Sequence, residues 1–182
     1  MKKLEHLLNG KNVTLRLLRK EDKNSYYEAG FRNVDHESMY YTQTGSDFTE
    51  EQIFSYVDRI TEDERRYDFL VFDSMGVLLG ESVINEIDWQ NHSANFRIAL
   101  FDHKHFGKGL GSEALKLTLQ FGFENLGLNQ IELEVYGFNE RAIRTYQKAG
   151  FRTNEIEENV RLNDGNVGSI LKMSLTKQQY QQ

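Results

Sequence analysis

The chain has 182 residues and a formal net charge of −6, enough length for one domain that buries roughly 70% of its unfolded surface. The acidic balance and the lack of a basic stripe argue against a nucleic-acid binder. Cysteine is absent, which excludes disulfides, thiolate metal sites and a cysteine nucleophile.

Met1 to Gly10 has a basic start but neither a long apolar core nor a small-residue cleavage site. No later apolar run is long enough to span a bilayer, so a soluble cytoplasmic protein without a membrane partner is expected. Asn12 to Leu18 alternates and reads as a strand. Lys20 to Phe31 reads as a helix with Tyr26, Tyr27 and Phe31 on its apolar side. Asn33 to Asp47 has no periodicity and reads as a polar loop carrying aromatics, either a substrate-binding lip or a surface loop. Thr49 to Gln52 is a capping box that opens a helix with Ile53, Phe54, Val57 and Ile60 as its buried stripe. The acidic outer face of that helix is a solvated surface, or a rim that draws in cationic amines.

Tyr67–Asp73 and Val77–Ile84 read as a hairpin around Ser74 to Gly76, followed by a strand over Ala94–Leu100. A glycine-rich segment and a helix to about Leu126 come next, then a strand over Gln130–Tyr136. A strand, loop and helix before a further strand predict a parallel partner for Ala94–Leu100. Arg141 to Lys148 reads as a short helix ending at Gly150, and strands near Phe151–Val160 and Gly168–Leu175 close the chain. No linker or repeat divides the sequence, which predicts a single mixed α+β domain over residues 1–182.

The stretch Phe106-Gly107-Lys108-Gly109-Leu110-Gly111 is the most informative part of the chain. Its glycines leave backbone N–H groups uncovered, and the helix behind them turns its positive end toward a bound anion. Lys108 adds a mobile charge, and a pyrophosphate is the most economical ligand. A nucleotide P-loop would need a Lys-Ser/Thr pair after the last glycine, where Ser112-Glu113 stands, and the dinucleotide fingerprint needs glycine at Ser112. A glycine-rich surface turn ahead of an ordinary helix is the other reading of the loop alone.

Downstream, Asn139, Ala142, Tyr146, Gly150 and Phe151 follow the strand that ends at Tyr136. Together with the glycine loop, this segment resembles the GNAT superfamily of acetyl-CoA-dependent N-acetyltransferases, within its ribosomal-protein and spermidine N-acetyltransferase branch. The family's second signature is a strand followed by Asn-x-x-Ala-x-x-x-Tyr-x-x-x-Gly-Phe, matched at every position. In the first signature Phe106 stands where many members carry Gln or Arg. The resemblance implies a mostly antiparallel central sheet flanked by helices, with a parallel strand pair splayed at its C-terminal ends. It also implies acetyl-CoA as co-substrate, bound through Phe106, Gly107, Lys108, Gly109, Leu110 and Gly111, with its pantetheine arm in the splay against Asn139. Tyr146 would protonate the departing thiolate.

The general base is open. Many relatives place Glu in the strand before the loop, where this chain has Asn95. Glu86 and Asp88, after the preceding strand, are the nearest candidates by sequence, with a solvated turn residue as the other reading of Glu86. Glu132 and Glu134 read as an exposed or salt-bridged strand face. His103-Lys104-His105 reads as an exposed basic loop and not as a metal site, because no thiols or matched carboxylates complete it. The acceptor is a primary amine on a polyamine, a protein N-terminus or a small molecule. A non-catalytic acyl-CoA sensor or assembly subunit is the alternative function, and a homodimer is compatible with either.

Overall fold

The computed structural model describes residues 6–45 and 47–182; Met1 to Glu5 and Ser46, which fall within segments read above, lie outside them. The strands are β1 (Leu7–Asn9), β2 (Val13–Leu17), β3 (Tyr67–Asp73), β4 (Leu78–Asp88), β5 (Ser93–Leu100), β6 (Gln130–Tyr136), β7 (Arg152–Arg161) and β8 (Val167–Thr176). They form one sheet in the order β1-β2-β3-β4-β5-β6-β8-β7. Among the described residues only β5 and β6 pair in parallel; every other neighbouring pair is antiparallel. The mixed α+β architecture with one parallel pair is as expected.

The helices are α1 (Lys23–Tyr27), α2 (His36–Thr42), α3 (Glu50–Glu62), α4 (Leu110–Gln120), α5 (Glu140–Lys148) and α6 (Lys177–Tyr180). One face of the sheet packs under α4 and the π-turn Phe121–Asn125, where Phe69, Phe121, Phe123 and Ile131 are fully buried. Each such side chain contributes on the order of 1.5–3 kcal/mol by leaving water. The opposite face packs under α1 and α3, with Tyr26, Ile53, Val57, Ile60, Leu70 and Phe101 as its core. The alternation of β3 explains the division, since Phe69 and Val71 join the first core and Leu70 the second.

α3 begins with the expected capping box between Thr49 and Gln52. Its stripe buries Ile53, Val57 and Ile60, while Phe54 is half-buried. α4 is fixed at its start by Glu113, whose carboxylate accepts from the Asn12 backbone N–H and side-chain amide, both at 2.9 Å. At its middle Thr118 meets Ser82 of β4 at 2.7 Å in the core. These two anchors hold the N-terminus of α4 against the sheet.

Several elements differ from the sequence reading. The polar segment 33–47 contains α2, capped by Asp35, which accepts from the Ser38 N–H. Ser38 is the only buried residue of α2, so no apolar stripe announced it. The helix expected over Lys20 to Phe31 is a 3₁₀ turn at Lys20–Asp22, then α1, then a π-turn at Glu28–Arg32. β4 starts at Leu78 and runs through an irregular register to Asp88, four residues beyond the expected end. β1 and α6 had no sequence signal, and β8 inserts between β6 and β7.

Candidate active site

The parallel pair opens into a cleft. Hydrogen-bonded register between β5 and β6 covers only Ser93↔Gln130, Ala94↔Ile131 and Asn95↔Glu132. Beyond that point β5 stays with β4 as far as Leu100, and β6 stays with β8 as far as Tyr136. The strands therefore part, and the backbone facing the gap has no strand partner. Ser38 of α2 spans part of the opening by donating its hydroxyl to the Leu100 carbonyl.

A cavity of about 320 Å³ continues from this gap to the glycine loop. Gly107 and Gly109 have φ of 71° and 79°, and Gly109 is the N-cap of α4. A Cβ at either would meet no atom within 4 Å, so the space over the loop is open. The first helical turn leaves the N–H groups of Leu110, Gly111 and Ser112 without intrahelical acceptors, and all three residues line the cavity. The combination suits a pyrophosphate. Phe106, Gly107, Gly109, Leu110 and Gly111 all line this space, whereas Lys108 is exposed and does not.

Asn139 and Tyr146 lie two helical turns apart and so on one side of α5. Asn139 caps that helix, its Oδ1 accepting from the Ala142 N–H at 3.3 Å. The amide NH₂ of Asn139 keeps its hydrogens for the cavity. Tyr146 is 7% exposed, its ring held edge-on by Phe96 and Phe151 at 6.3 and 5.9 Å. Its hydroxyl has no hydrogen-bond partner among the described residues, and burial pushes it above the ordinary tyrosine value. Arg141, in the first turn of α5, lies 3.6 Å from the centroid of the Phe106 ring and 5.0 Å from that of Tyr41. This cation–π clasp joins α2, the glycine loop and α5, and explains an aromatic at 106.

A second cavity, about 490 Å³, lies on the α1–α3 side and shares Ser38, Tyr41, Asn139 and Tyr146 with the first. Its walls are aromatic, including Tyr26, Phe31, Phe48, Tyr56 and Tyr136. The charged groups lining it are Glu81, Arg97 and Glu134. Glu81 is 5% exposed; it accepts from the Tyr26 hydroxyl at 2.7 Å and lies 3.0 Å from Arg97. The Tyr56 hydroxyl accepts from both Arg97 and Arg66. Arg66 in turn grips buried Asp68 through two nitrogens at 2.8 and 2.7 Å. Burial pushes the Asp68 carboxyl up against the opposing pull of Arg66. Glu134 has no hydrogen-bond or ion-pair partner among the described residues.

Glu86 is not brought to either cavity. It sits exposed at the irregular end of β4 with φ of 53°, away from the residues that line them. The carboxylates at the cavity are instead Glu81 and Glu134. Sequence reading missed Glu81, Arg97, Tyr56 and Arg141. A signal existed for the first two, because each is a charge inside an otherwise apolar strand and must find a partner when buried. His103 also departs from expectation: its Nδ1 lies 2.6 Å from Asp35, and Asp102 joins them within 4.8 Å. Matched carboxylates thus stand beside the histidine, and they already serve as caps, Asp35 for α2 and Asp102 for the Lys104 N–H.

Residues 12–152 match the acetyltransferase (GNAT) domain family. The SPbeta prophage-derived uncharacterized N-acetyltransferase YokL of Bacillus subtilis is 28% identical over 78% of this chain and 77% of its own length. The spermidine N(1)-acetyltransferase of Escherichia coli is 32% identical over 65% of this chain and 62% of its own length. In fold, the spermidine N-acetyltransferase from Vibrio cholerae, solved with CoA and spermine, superposes with a TM-score of 0.83 at 23% identity, over 93% of this chain and 98% of that one. Among the described residues no helix is long and apolar enough to cross a membrane. An acetyl-CoA-dependent N-acetyltransferase is what the family match and the glycine-loop cleft identify together, and the chain belongs to the GNAT acetyltransferase family.

Proposed function

We propose that this enzyme binds acetyl-CoA along the first cavity and receives a primary amine through the second. The supporting observation is that the two cavities meet at Tyr146 and Asn139. The glycine loop would hold the pyrophosphate, and the unpaired backbone of β5 and β6 would run alongside the pantetheine arm. The NH₂ of Asn139 would donate to an amide carbonyl of that arm. The thioester then lies where the aromatic cavity opens.

Glu134, the unpaired carboxylate of the second cavity, takes the first proton of the incoming ammonium and passes it to water. The amine lone pair attacks the acetyl carbon, and the carbon–sulfur bond breaks. Tyr146 gives its phenolic proton to the thiolate, and the proton shed by the nitrogen as the amide forms restores the phenol. A carboxylate lining the cavity speaks against the best support for a non-catalytic sensor, the lack of a strand glutamate at Asn95.

Tyr146→Phe keeps the ring between Phe96 and Phe151 and removes only the acid. It should lower kcat by roughly 10²–10³ with CoA affinity nearly unchanged, because the interaction is made in the transition state. Burial holds Tyr146 protonated above its ordinary value of 10.0, so the parent enzyme should show no alkaline loss of kcat up to that pH. Steady-state kinetics and a CoA titration on one preparation check both. A near-parental kcat in the variant would remove Tyr146 from the mechanism.

A further inference from the structure

The charge of the second cavity is smaller than its carboxylates suggest. Both oxygens of Glu81 are engaged, Oε2 by the Tyr26 hydroxyl and Oε1 by Arg97. Asp68, also within 4.0 Å of Arg97, is gripped by Arg66. Among the described residues that leaves Glu134 as the one uncompensated carboxylate on the wall, enough to balance a single ammonium. A polyamine brings several ammoniums. The extra ones would meet the Arg97 guanidinium, or would have to displace it from Glu81.

Arg97 is also not spent on its partners. Its side chain is 43% exposed and lines the cavity. Only Nη2 is engaged, with the Tyr56 hydroxyl at 3.0 Å and with Glu81. Nε and Nη1 make no hydrogen bond among the described residues. Glu81 and Tyr56 therefore fix a guanidinium fork whose remaining N–H groups are free for a ligand oxygen. A cation held in this way inside an aromatic cavity is a poor neighbour for a polycation and a good one for a carbonyl or carboxylate.

We infer that Arg97 recognises the acceptor through an oxygen, and that the acceptor is a singly charged amine carrying a carboxylate or amide oxygen on an apolar body. The assignment rests on the second cavity being the acceptor's entrance. It narrows the polyamine, peptide and small-molecule options to the oxygen-bearing ones. The ammonium lies by Glu134 and Tyr146, the apolar body against the aromatic wall, and the oxygen on Arg97.

The test measures thiol release from acetyl-CoA with phenylethylamine, phenylalaninamide, phenylalanyl-alanine and spermidine. The two oxygen-bearing amines should exceed phenylethylamine in kcat/KM by roughly ten- to a hundredfold, the span of one hydrogen bond to a charged group. Spermidine should come last. Amide against dipeptide tells whether the oxygen is an amide or a carboxylate. Arg97→Lys retains a charge beside Glu81 but loses the fork, and should narrow that ratio through KM, with CoA affinity kept as the check on folding. Amine basicity is common to both enzymes and cancels in the ratio, and a merely structural Arg97 would lower all four substrates alike. Spermidine as the preferred substrate, or an unchanged ratio in both Arg97→Lys and Arg97→Gln, overturns the inference alone. No turnover with any amine in a protein that binds CoA overturns the acetyl-transfer reading, and this one with it.

Discussion

The two cavities that meet at Tyr146 are built by opposite means. The first draws its anion-binding end from main chain, a glycine turn and the first turn of α4, and continues along the splayed edges of β5 and β6, with side chains such as Phe106 and Arg141 closing it. Its partner would be an invariant cofactor, and backbone donors suit an anion of fixed shape. The second is lined by side chains drawn from α1, α2, α3 and three strands, with a charged network on its floor. Side chains can be exchanged without remaking the backbone. On the proposed reading, the contrast teaches that cofactor binding in this chain resides in backbone geometry and acceptor choice in replaceable side chains.

The largest effect should come from attacking the main-chain side. At Gly109→Val a β-branched residue would have to hold a φ of 79°, strained by about 1–2 kcal/mol, with its methyls over the anion site. CoA binding by calorimetry should weaken roughly a hundredfold or more. Gly111→Ala separates obstruction from strain, since its Cβ meets Leu100 at an ordinary 3.8 Å without positive φ. Normal CoA affinity in both variants would dismiss the loop as the phosphate site.

An intermediate effect is expected on the side-chain side. Tyr26→Phe removes the hydroxyl that satisfies one oxygen of buried Glu81. It should cost about 1–3 kcal/mol in urea unfolding. The acceptor KM should rise while CoA affinity stays in place, which is the outcome that keeps the two cavities distinct. A matching loss of CoA affinity would mean that they are one site energetically.

Lys108→Ala should matter least. The ammonium is exposed and outside the cavity lining, where a charge contributes at most about 1 kcal/mol. CoA affinity should fall by less than about fivefold, and a larger loss would shift weight from backbone donors to charge.

Legibility followed the same division. That Gly107, Gly109, Asn139 and Tyr146 lie around one cavity follows from local features, a turn and a helix cap with the next two turns. Glu81 and Arg97 show in the sequence only as charges in apolar strands; what they do depends on partners such as Tyr26 and Tyr56, distant in sequence. Glu86 misled for the same reason: sequence nearness to the loop said nothing of the irregular end of β4 that leaves it exposed.

What the sequence determined by itself is what short-range physics encodes: alternation in β2, β5 and β6, the hairpin of β3 and β4, the capping box of α3, the glycine turn, and the parallel order forced by a helical crossover. The tertiary structure alone decided that β8 lies between β6 and β7, that α2 forms and bonds to the Leu100 carbonyl, and that Glu134 has no partner among the described residues while Glu81 is paired with Tyr26 and Arg97. Each of these depends on which surfaces compete for burial and for charge once the sheet has closed, and no window of neighbouring residues contains that competition.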